Sequence, residues 1–227
     1  MRSVIFDFNG TLFDDTDKQI EAWNRFYLDV KGEIPSAETF KNIIIGSDNT
    51  TIFKKTVSEN VTPEEVSTYV AKKEHYYFEA CLEDKKNLKL IDGAEELFEV
   101  LKAAKIPFGV ATGSPKPNID FYTEHVKGFG KWFSPDRNLV YDDYTIKGKP
   151  APDIYLKTAQ KLGADPEESV IFEDSYPGYL SARASGAKKI VMIEKREDFP
   201  KYESLEGVSA VMENYLDAKR LAEICGI

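Results

Sequence analysis

Cysteine and histidine are scarce in this 227-residue chain. The two cysteines, Cys81 and Cys225, lie far apart, and neither they nor the two histidines, His75 and His125, have another cysteine or histidine next to them in sequence. Isolated thiols are typical of a reducing compartment, so the sequence argues against a disulfide scaffold. Surface or packing roles are expected for these cysteine and histidine side chains.

Long apolar runs and an excess of positive charge are also missing. No stretch approaches the ~20 apolar residues of a membrane span, and the first residues enter an apolar strand without a signal-peptide pattern. A cytoplasmic protein without a membrane partner is therefore expected. Asp and Glu number 39 against 30 Lys and Arg, a formal charge of -9. This charge repels nucleic acid and anionic lipid, so an anionic substrate would need a locally positive pocket.

The most informative segment is the run from Ser3 to Leu12, which reads as a buried strand that ends in Asp7 and breaks at Gly10. A carboxylate at the tip of a strand, beside free backbone amides, suits a nucleophile that attacks phosphorus. A second acid would be expected two residues later. The chain has Asn9 there, and an amide cannot carry a proton to or from a substrate.

The order of apolar patterns predicts a doubly wound α/β fold. Strand-like runs at 106–111, 139–141, 169–172 and 189–193 alternate with amphipathic helical stretches, which indicates a parallel sheet covered on both faces. Ligands of such sheets bind beyond the carboxyl ends of the strands.

The stretch from Leu12 to about Leu90 is helical instead. Thr62-Pro63-Glu64-Glu65 predicts a helix start, and Ser36 and Gly46 are suited to begin and end a helix over 37–45. We therefore expect an α/β core at 1–13 and 89–227, with an all-helical cap of roughly four or five helices at 14–88. A helical insert at the active edge of a sheet would act as a lid that expels water.

A second segment with chemical potential is 110–114, a strand that ends in Thr112, Gly113 and Ser114. Hydroxyls and backbone N–H groups near a helix start are suited to bind phosphate oxygens.

Two further segments supply charge. Lys149 is held by prolines just before a predicted helix, as a positioned cation. Glu173 and Asp174 follow the strand at 169–172, where two acids repel each other unless a cation binds them. A hard divalent ion such as Mg²⁺ prefers carboxylate oxygen.

Together these segments resemble the haloacid dehalogenase superfamily of phosphotransferases over essentially the whole chain. The likeness is closest to the branch with a helical cap after the first strand, which includes β-phosphoglucomutase and many small-metabolite phosphatases. It is carried by Asp7-Phe8-Asn9-Gly10-Thr11, Val110 to Ser114, Lys149-Pro150-x-Pro152 and Phe172-Glu173-Asp174-Ser175-x-x-Gly178.

The resemblance implies a Mg²⁺-dependent phosphatase that acts on a small phosphorylated metabolite. By this likeness Asp7 is the nucleophile, Thr112 and the Gly113 amide hold the phosphoryl group, and Lys149 offsets charge in the transition state. The metal ligands it implies are Asp7, Asp174, the backbone carbonyl of Asn9 and, through water, Glu173. A monomer or a homodimer is expected.

The chain departs from the family at Asn9, where phosphatases of this kind have an aspartate that works as general acid and base. Such help is worth ~10²–10⁴ in rate. The chain is then a slow natural phosphatase, a non-catalytic or regulatory phosphometabolite-binding relative, or an active parent mutated to trap a complex. Asp14 and Asp15 lie close enough in sequence to be substitute acids.

The same resemblance separates other activities of the superfamily. By likeness, Gly46, Ser47 and Asn49 belong to a cap loop that faces the substrate; the same residues fit equally well a plain helix–helix turn with Asp48 as its cap. Phosphonate-cleaving relatives have a lysine at the position of Asn49, and sugar phosphomutases have an arginine there and a histidine near Gln19. Asn49 and Gln19 therefore argue against both phosphonate cleavage and sugar phosphomutase activity, and a single-phosphate substrate is favoured. Phosphomutase activity remains a further alternative.

Overall fold

The computed structural model describes residues 1–44 and 49–227, with the backbone alone at positions 41 and 42. It divides into two compact units, Asp15–Leu88 and a second unit of Met1–Asp14 with Lys89–Ile227. In the described part of the chain, no helix combines the length and the apolar character that crossing a membrane requires.

The first unit is helical. Its helices are α1 (Thr16–Lys31), α2 (Ala37–Thr39), a π-helix (Phe40–Ile44), α3 (Asn49–Thr56) and α4 (Pro63–Glu83), followed by a 3₁₀ turn at Lys85–Asn87. Aromatic rings make its core, with Phe26 in contact with Trp23, Phe53 and Tyr69 at centroid distances of 5.9, 5.3 and 5.6 Å. The α-helix expected over 37–45 is shorter than predicted, because it ends at Thr39 and the chain continues as the π-helix.

The second unit is a six-stranded parallel sheet with helices. Its strands are β1 (Val4–Phe6), β2 (Phe108–Pro115), β3 (Leu139–Asp142), β4 (Val170–Glu173), β5 (Lys189–Ile193) and β6 (Val208–Met212), in the order β3-β2-β1-β4-β5-β6. Its helices are α5 (Ala94–Ala103), α6 (Lys116–His125), α7 (Phe129–Trp132), α8 (Asp153–Lys161), α9 (Tyr176–Ala184), α10 (Phe199–Glu203) and α11 (Ala218–Cys225). Short 3₁₀ turns lie at Pro166–Glu168 and Arg196–Asp198.

This sheet confirms the predicted doubly wound α/β class. Its inner strands are buried runs of apolar residues, as expected when helices cover both faces. The bounds of the strands differ in detail from the prediction, most of all for β2, which begins at Phe108 and extends to Pro115, and β6 is an additional strand.

The register of the sheet positions the site. Phe6 on β1 lies opposite Val110 on β2 and Phe172 on β4. Because β1, β2 and β4 are parallel, the segments that follow them lie at the same edge of the sheet, and the strand order reverses between β1 and β4. Crevices at such a switch point are where ligands bind in open α/β sheets.

Candidate active site

Asp7 lies at the carboxyl end of the central strand, because its amide still continues the ladder of β1. The Asp7 N–H donates to the carbonyl oxygen of Phe172 at 2.9 Å. The residue is only 6% exposed. A buried carboxylate needs partners, and these come from distant parts of the chain.

Lys149 is the first partner of Asp7. Its Nζ lies 2.6 Å from Asp7 Oδ1 and also bonds Glu173 Oε1. The hydroxyl of Tyr155, on α8, donates to the same Glu173 oxygen at 2.5 Å. The structure thus brings together Asp7, Lys149 and Glu173, which lie in three separate segments of the sequence. Tyr155 had no signal in the sequence beyond its place in an amphipathic helix.

Both carboxylate oxygens of Glu173 are occupied by protein donors. Oε2 accepts from the Asp174 amide at 3.0 Å and from the Ser175 amide and hydroxyl, each at 3.1 Å. Glu173 is completely buried. These bonds fix the position of Glu173, which in turn orients the ammonium group of Lys149.

Thr11 joins the remaining two acids. Its hydroxyl lies 3.4 Å from Asp7 Oδ2 and 3.3 Å from Asp174 Oδ1. Asp7, Glu173 and Asp174 each offer a ligand atom, and these atoms lie within 4.8 Å of one another. Thr11 stood inside the first motif of the sequence, but no role was expected of it.

The charges in this cluster do not balance. Burial, partly offset by the charge of Lys149, raises the pKa of Asp7 to about 7. Burial and the charges of Glu173 and Asp7 raise the pKa of Asp174 well above its usual range. Burial alone would also raise the pKa of Glu173, but the charge and hydrogen bond of Lys149 outweigh it and lower that pKa.

The pKa of Lys149 is shifted as well. Burial would lower its pKa, but the charges of Asp7 and Glu173 outweigh burial, and its pKa is raised. Three carboxylates therefore share a single ammonium group within this cluster of four side chains. A divalent cation would supply the missing positive charge, and carboxylate oxygens are the donors that Mg²⁺ prefers. Asp7 and Asp174 fit such an ion.

Two glycines make room for these acids. A Cβ at Gly10 would lie 2.1 Å from Asp174 Oδ2, and one at Gly178 would lie 1.9 Å from Glu173 Oε1. Gly10 also has a φ of +75°, a conformation that glycine adopts without strain. A side chain at either glycine would therefore occupy the space that a carboxylate of the cluster fills.

The predicted phosphate-binding residues lie on the next strand, β2. Thr112 is buried, and its hydroxyl oxygen accepts from the Ser114 amide at 3.1 Å. Gly113 is exposed, and a Cβ added to it would meet nothing within 4 Å. The backbone at Gly113 is thus open to a ligand.

Asn9 and Ser114 bond each other. The Ser114 hydroxyl donates to Asn9 Oδ1 at 2.8 Å, and Asn9 Nδ2 donates to the hydroxyl of Tyr122 at 2.9 Å. Ser114 was expected to contact substrate, and here its hydroxyl contacts the side chain of Asn9. Tyr122 lies on α6 and carried no signal in the sequence.

The residues expected of the cap loop belong to the helical unit. Asn49 is the first residue of α3 and is exposed, whereas Gly46 and Ser47 lie outside the described residues. The substitute acid Asp15 is buried, and its Oδ2 accepts from Tyr77 at 2.6 Å and from Gln19 at 3.1 Å. These bonds commit Asp15 to the helical unit, which argues against a role as a proton carrier.

Comparison with known proteins places the chain in a family. A family model described as haloacid dehalogenase-like hydrolase matches residues 1–186. A HAD hydrolase of family IA, variant 3, from Entamoeba histolytica has 31% identity and a TM-score of 0.87, with 100% of each chain covered.

Curated relatives agree. The chain is 31% identical over 190 residues to a bifunctional riboflavin kinase/FMN phosphatase of Arabidopsis thaliana, covering 83% of this chain but only 48% of that enzyme, about half its length. It is 27% identical over 195 residues to a phosphorylated carbohydrates phosphatase of Thermotoga maritima, with 84% of each covered. The family predicted from the sequence motifs is confirmed, and the chain belongs to the haloacid dehalogenase-like hydrolases.

Proposed function

We propose that the chain hydrolyses a phosphate monoester of a small metabolite, with Mg²⁺ and through an aspartyl-phosphate on Asp7. The observation that carries this proposal is the buried Asp7 carboxylate, held 2.6 Å from Lys149 and joined through Thr11 to Asp174. This arrangement supplies a nucleophile and a fixed cation at one point, and it needs a second cation to balance its charge.

The enzyme class predicted from the sequence, a phosphatase, is confirmed by the relatives. The Thermotoga maritima relative is named as a phosphatase of phosphorylated carbohydrates, and the Arabidopsis thaliana relative is in part an FMN phosphatase. Both names support a small phosphorylated substrate for this chain.

The reaction has two steps. In the first, an oxygen of the Asp7 carboxylate attacks phosphorus, a new O–P bond forms, and the ester oxygen leaves with the electron pair of its bond to phosphorus. Lys149 offsets negative charge on the transferring group, while the Thr112 hydroxyl and the Gly113 amide bind its oxygens. In the second step, water attacks phosphorus, inorganic phosphate leaves, and the Asp7 carboxylate is regenerated.

The acidic residues of the cluster have two further roles, metal binding and the positioning of Lys149. When bound, Mg²⁺ supplies positive charge at the phosphoryl oxygens, and Asp7, Asp174 and the backbone carbonyl of Asn9 are the groups that would hold it. Glu173 positions Lys149 and would face the ion only through water.

Asn9 makes proton transfer the weak point of this mechanism. An alkyl leaving group departs as a strongly basic alkoxide unless it is protonated, and the amide N–H of Asn9 is too weakly acidic to protonate it. We therefore infer slow turnover of alkyl phosphates, with a loss of the order of 10²–10⁴ relative to an aspartate at this position.

A second function, binding of a phosphometabolite without turnover, is favoured by Asn9 alone. The intact set of Asp7, Lys149 and Asp174 argues against it, because a binding protein has no need of a nucleophile.

The decisive experiment measures phosphate release by this chain and by Asn9→Asp, each with Mg²⁺ and with EDTA. The substrates are p-nitrophenyl phosphate, whose leaving group needs no protonation, and a panel of sugar phosphates, whose leaving groups do. Asn9→Asp should accelerate sugar phosphate hydrolysis far more than p-nitrophenyl phosphate hydrolysis. Asp7→Asn, tested alone and with Asn9→Asp, should abolish both.

The other outcomes are equally informative. Equal acceleration of the two substrate classes would show that residue 9 does not act on the leaving group. If neither form releases phosphate from any substrate, the phosphatase proposal fails, and binding of the same phosphates would then support the second function.

A further inference from the structure

The amide of Asn9 belongs to a closed ring of hydrogen bonds with two hydroxyl groups. Asn9 Nδ2 donates to Tyr122 at 2.9 Å, Ser114 donates to Asn9 Oδ1 at 2.8 Å, and the two hydroxyl oxygens lie 3.3 Å apart. The only hydroxyl proton of Ser114 is used on Asn9, so Tyr122 is the donor in the third bond. Each side chain in the ring donates once and accepts once.

Tyr122 is the rigid member of this ring. Its side chain is completely buried, and its ring lies 4.6 Å from that of Phe8 and 5.8 Å from that of Phe129. A second amide, Asn118 Nδ2, approaches its hydroxyl at 3.5 Å. Because aromatic packing fixes the ring, the position of the hydroxyl is fixed as well, and a buried hydroxyl needs such partners.

The ring also connects the nucleophile segment to the phosphate-binding segment. Asn9 follows Asp7 by two residues, and the Ser114 amide donates to the hydroxyl oxygen of Thr112 at 3.1 Å. The orientation of Asn9 is therefore set by side chains of β2 and α6, and not by its own loop alone.

The ring fits an amide better than a carboxylate. An amide presents one donor and one acceptor, which is what the ring uses. A carboxylate at position 9 would present acceptors only, so both hydroxyls would have to donate to it, and the bond between Tyr122 and Ser114 would be lost.

We propose that Ser114 and Tyr122 are positioning residues that hold the Asn9 amide in one orientation during phosphoryl transfer. This inference rests on the proposed phosphatase function and goes beyond it, because it assigns to Ser114 and Tyr122 an action through Asn9. A group that is already oriented beside the reacting centre needs no reorganisation in the transition state.

The test is a double-mutant cycle measured with p-nitrophenyl phosphate and Mg²⁺. Tyr122→Phe and Ser114→Ala should each lower kcat about fivefold, the effect of one neutral hydrogen bond, with KM nearly unchanged. In an Asn9→Ala background the same two substitutions should have almost no further effect, because the group they position is gone. Ser114→Thr, which keeps the hydroxyl, should restore kcat.

Two controls remove comparable hydroxyls elsewhere in the same unit. Tyr179 donates to the Glu206 carbonyl at 3.0 Å, and Ser185 donates to the Ala182 carbonyl at 2.7 Å. Tyr179→Phe and Ser185→Ala should leave kcat unchanged. Thermal unfolding of every variant shows which ones are folded, and if Tyr122→Phe is not, the Ser114 pair decides.

The outcomes separate this inference from the proposed function. If the chain turns over but the losses are the same in the Asn9 and Asn9→Ala backgrounds, the two residues have only a structural role and the inference is wrong. It is equally overturned if Asn9→Ala alone leaves kcat unchanged, or if turnover appears only in Asn9→Asp. If no variant at all transfers phosphate, the proposed function itself has failed.

Discussion

At the scale of single residues, the position of the Asp174 carboxylate depends on the absence of a side chain at Gly10. The place where a Cβ would stand is 2.1 Å from Asp174 Oδ2. Gly32 is a natural comparison, because its φ of +76° matches the +75° of Gly10 while nothing lies within 4 Å of its Cβ position. The pair separates the cost of an unusual backbone conformation from the cost of displacing a carboxylate.

We predict that Gly10→Ala abolishes Mg²⁺ binding while Gly32→Ala does not. Both variants should lose about 1–2 kcal/mol of stability to the left-handed backbone. Only Gly10→Ala also pushes Asp174 away from Asp7, so it alone should lose the heat of Mg²⁺ binding in titration calorimetry. Wild-type affinity in Gly10→Ala would show that the ion does not use Asp174.

How far the sequence predicted the site depends on the kind of residue. Asp7, Thr112, Lys149 and Asp174 could be named because each belongs to a recognisable motif near the carboxyl end of a strand or the start of a helix. Tyr155 could not, because its bond to Glu173 spans 18 residues and starts from an ordinary helix position. Contacts of this kind depend on how helices pack, which no local pattern records.

At the scale of elements, α4 shows a local signal that the structure reproduces. The Thr62 hydroxyl oxygen accepts from the Glu65 amide at 3.2 Å, and Glu65 Oε2 accepts from the Thr62 amide at 2.8 Å. This reciprocal capping box lies at the helix start that the sequence predicted. Thr68, in the same helix, bonds the Glu64 carbonyl instead, as interior threonines do.

We predict that Thr62→Ala lowers the stability of the helical unit by about 1 kcal/mol, because an N–H of the first turn loses its acceptor. Thr68→Ala, the same change at an exposed interior position, should be neutral or slightly stabilising, since alanine has the higher helix propensity. Hydrogen exchange of the α4 amides measures both. Equal protection in the two variants would mean that the cap contributes nothing.

Elements without such signals were missed or misjudged. β6 pairs with β5 alone at the edge of the sheet, and only its last three residues are buried, so its sequence lacks the long apolar run of a central strand. The segment after Ser36 begins as predicted, with Thr39 N–H on the Ser36 hydroxyl, but widens into a π-helix after three residues. Local propensity marks where a helix begins, whereas packing sets how it continues.

At the scale of the whole molecule, an acidic chain gathers three of its acids around one lysine at the edge of its sheet. The pKa of Asp7 is raised to about 7 and that of Asp174 is raised well above its usual range, in both cases chiefly by burial. A carboxyl with a raised pKa in the folded state binds protons more tightly folded than unfolded. Without a metal, stability should therefore fall as pH rises from about 4, the ordinary pKa of aspartate, through the raised values.

We predict that Asp174→Asn changes thermal stability, relative to the wild-type chain, in opposite directions in EDTA and in Mg²⁺. In EDTA at neutral pH, Asp174→Asn replaces a buried carboxyl whose raised pKa costs the folded state free energy, so it should raise the midpoint of thermal unfolding by roughly 2–4 °C, a shift of about 1 kcal/mol for a domain of this size. In Mg²⁺ the wild-type chain gains stability by binding the ion, and Asp174→Asn should lose most of that gain.

The exposed residue Asp136 provides the control, and Asp136→Asn should follow the wild-type chain in both buffers. A lower midpoint for Asp174→Asn in EDTA would contradict the argument from the raised pKa, whereas an undiminished response to Mg²⁺ would place the ion elsewhere. The two readings are independent, so the experiment tests separately whether the buried carboxyl costs stability and whether it binds the metal.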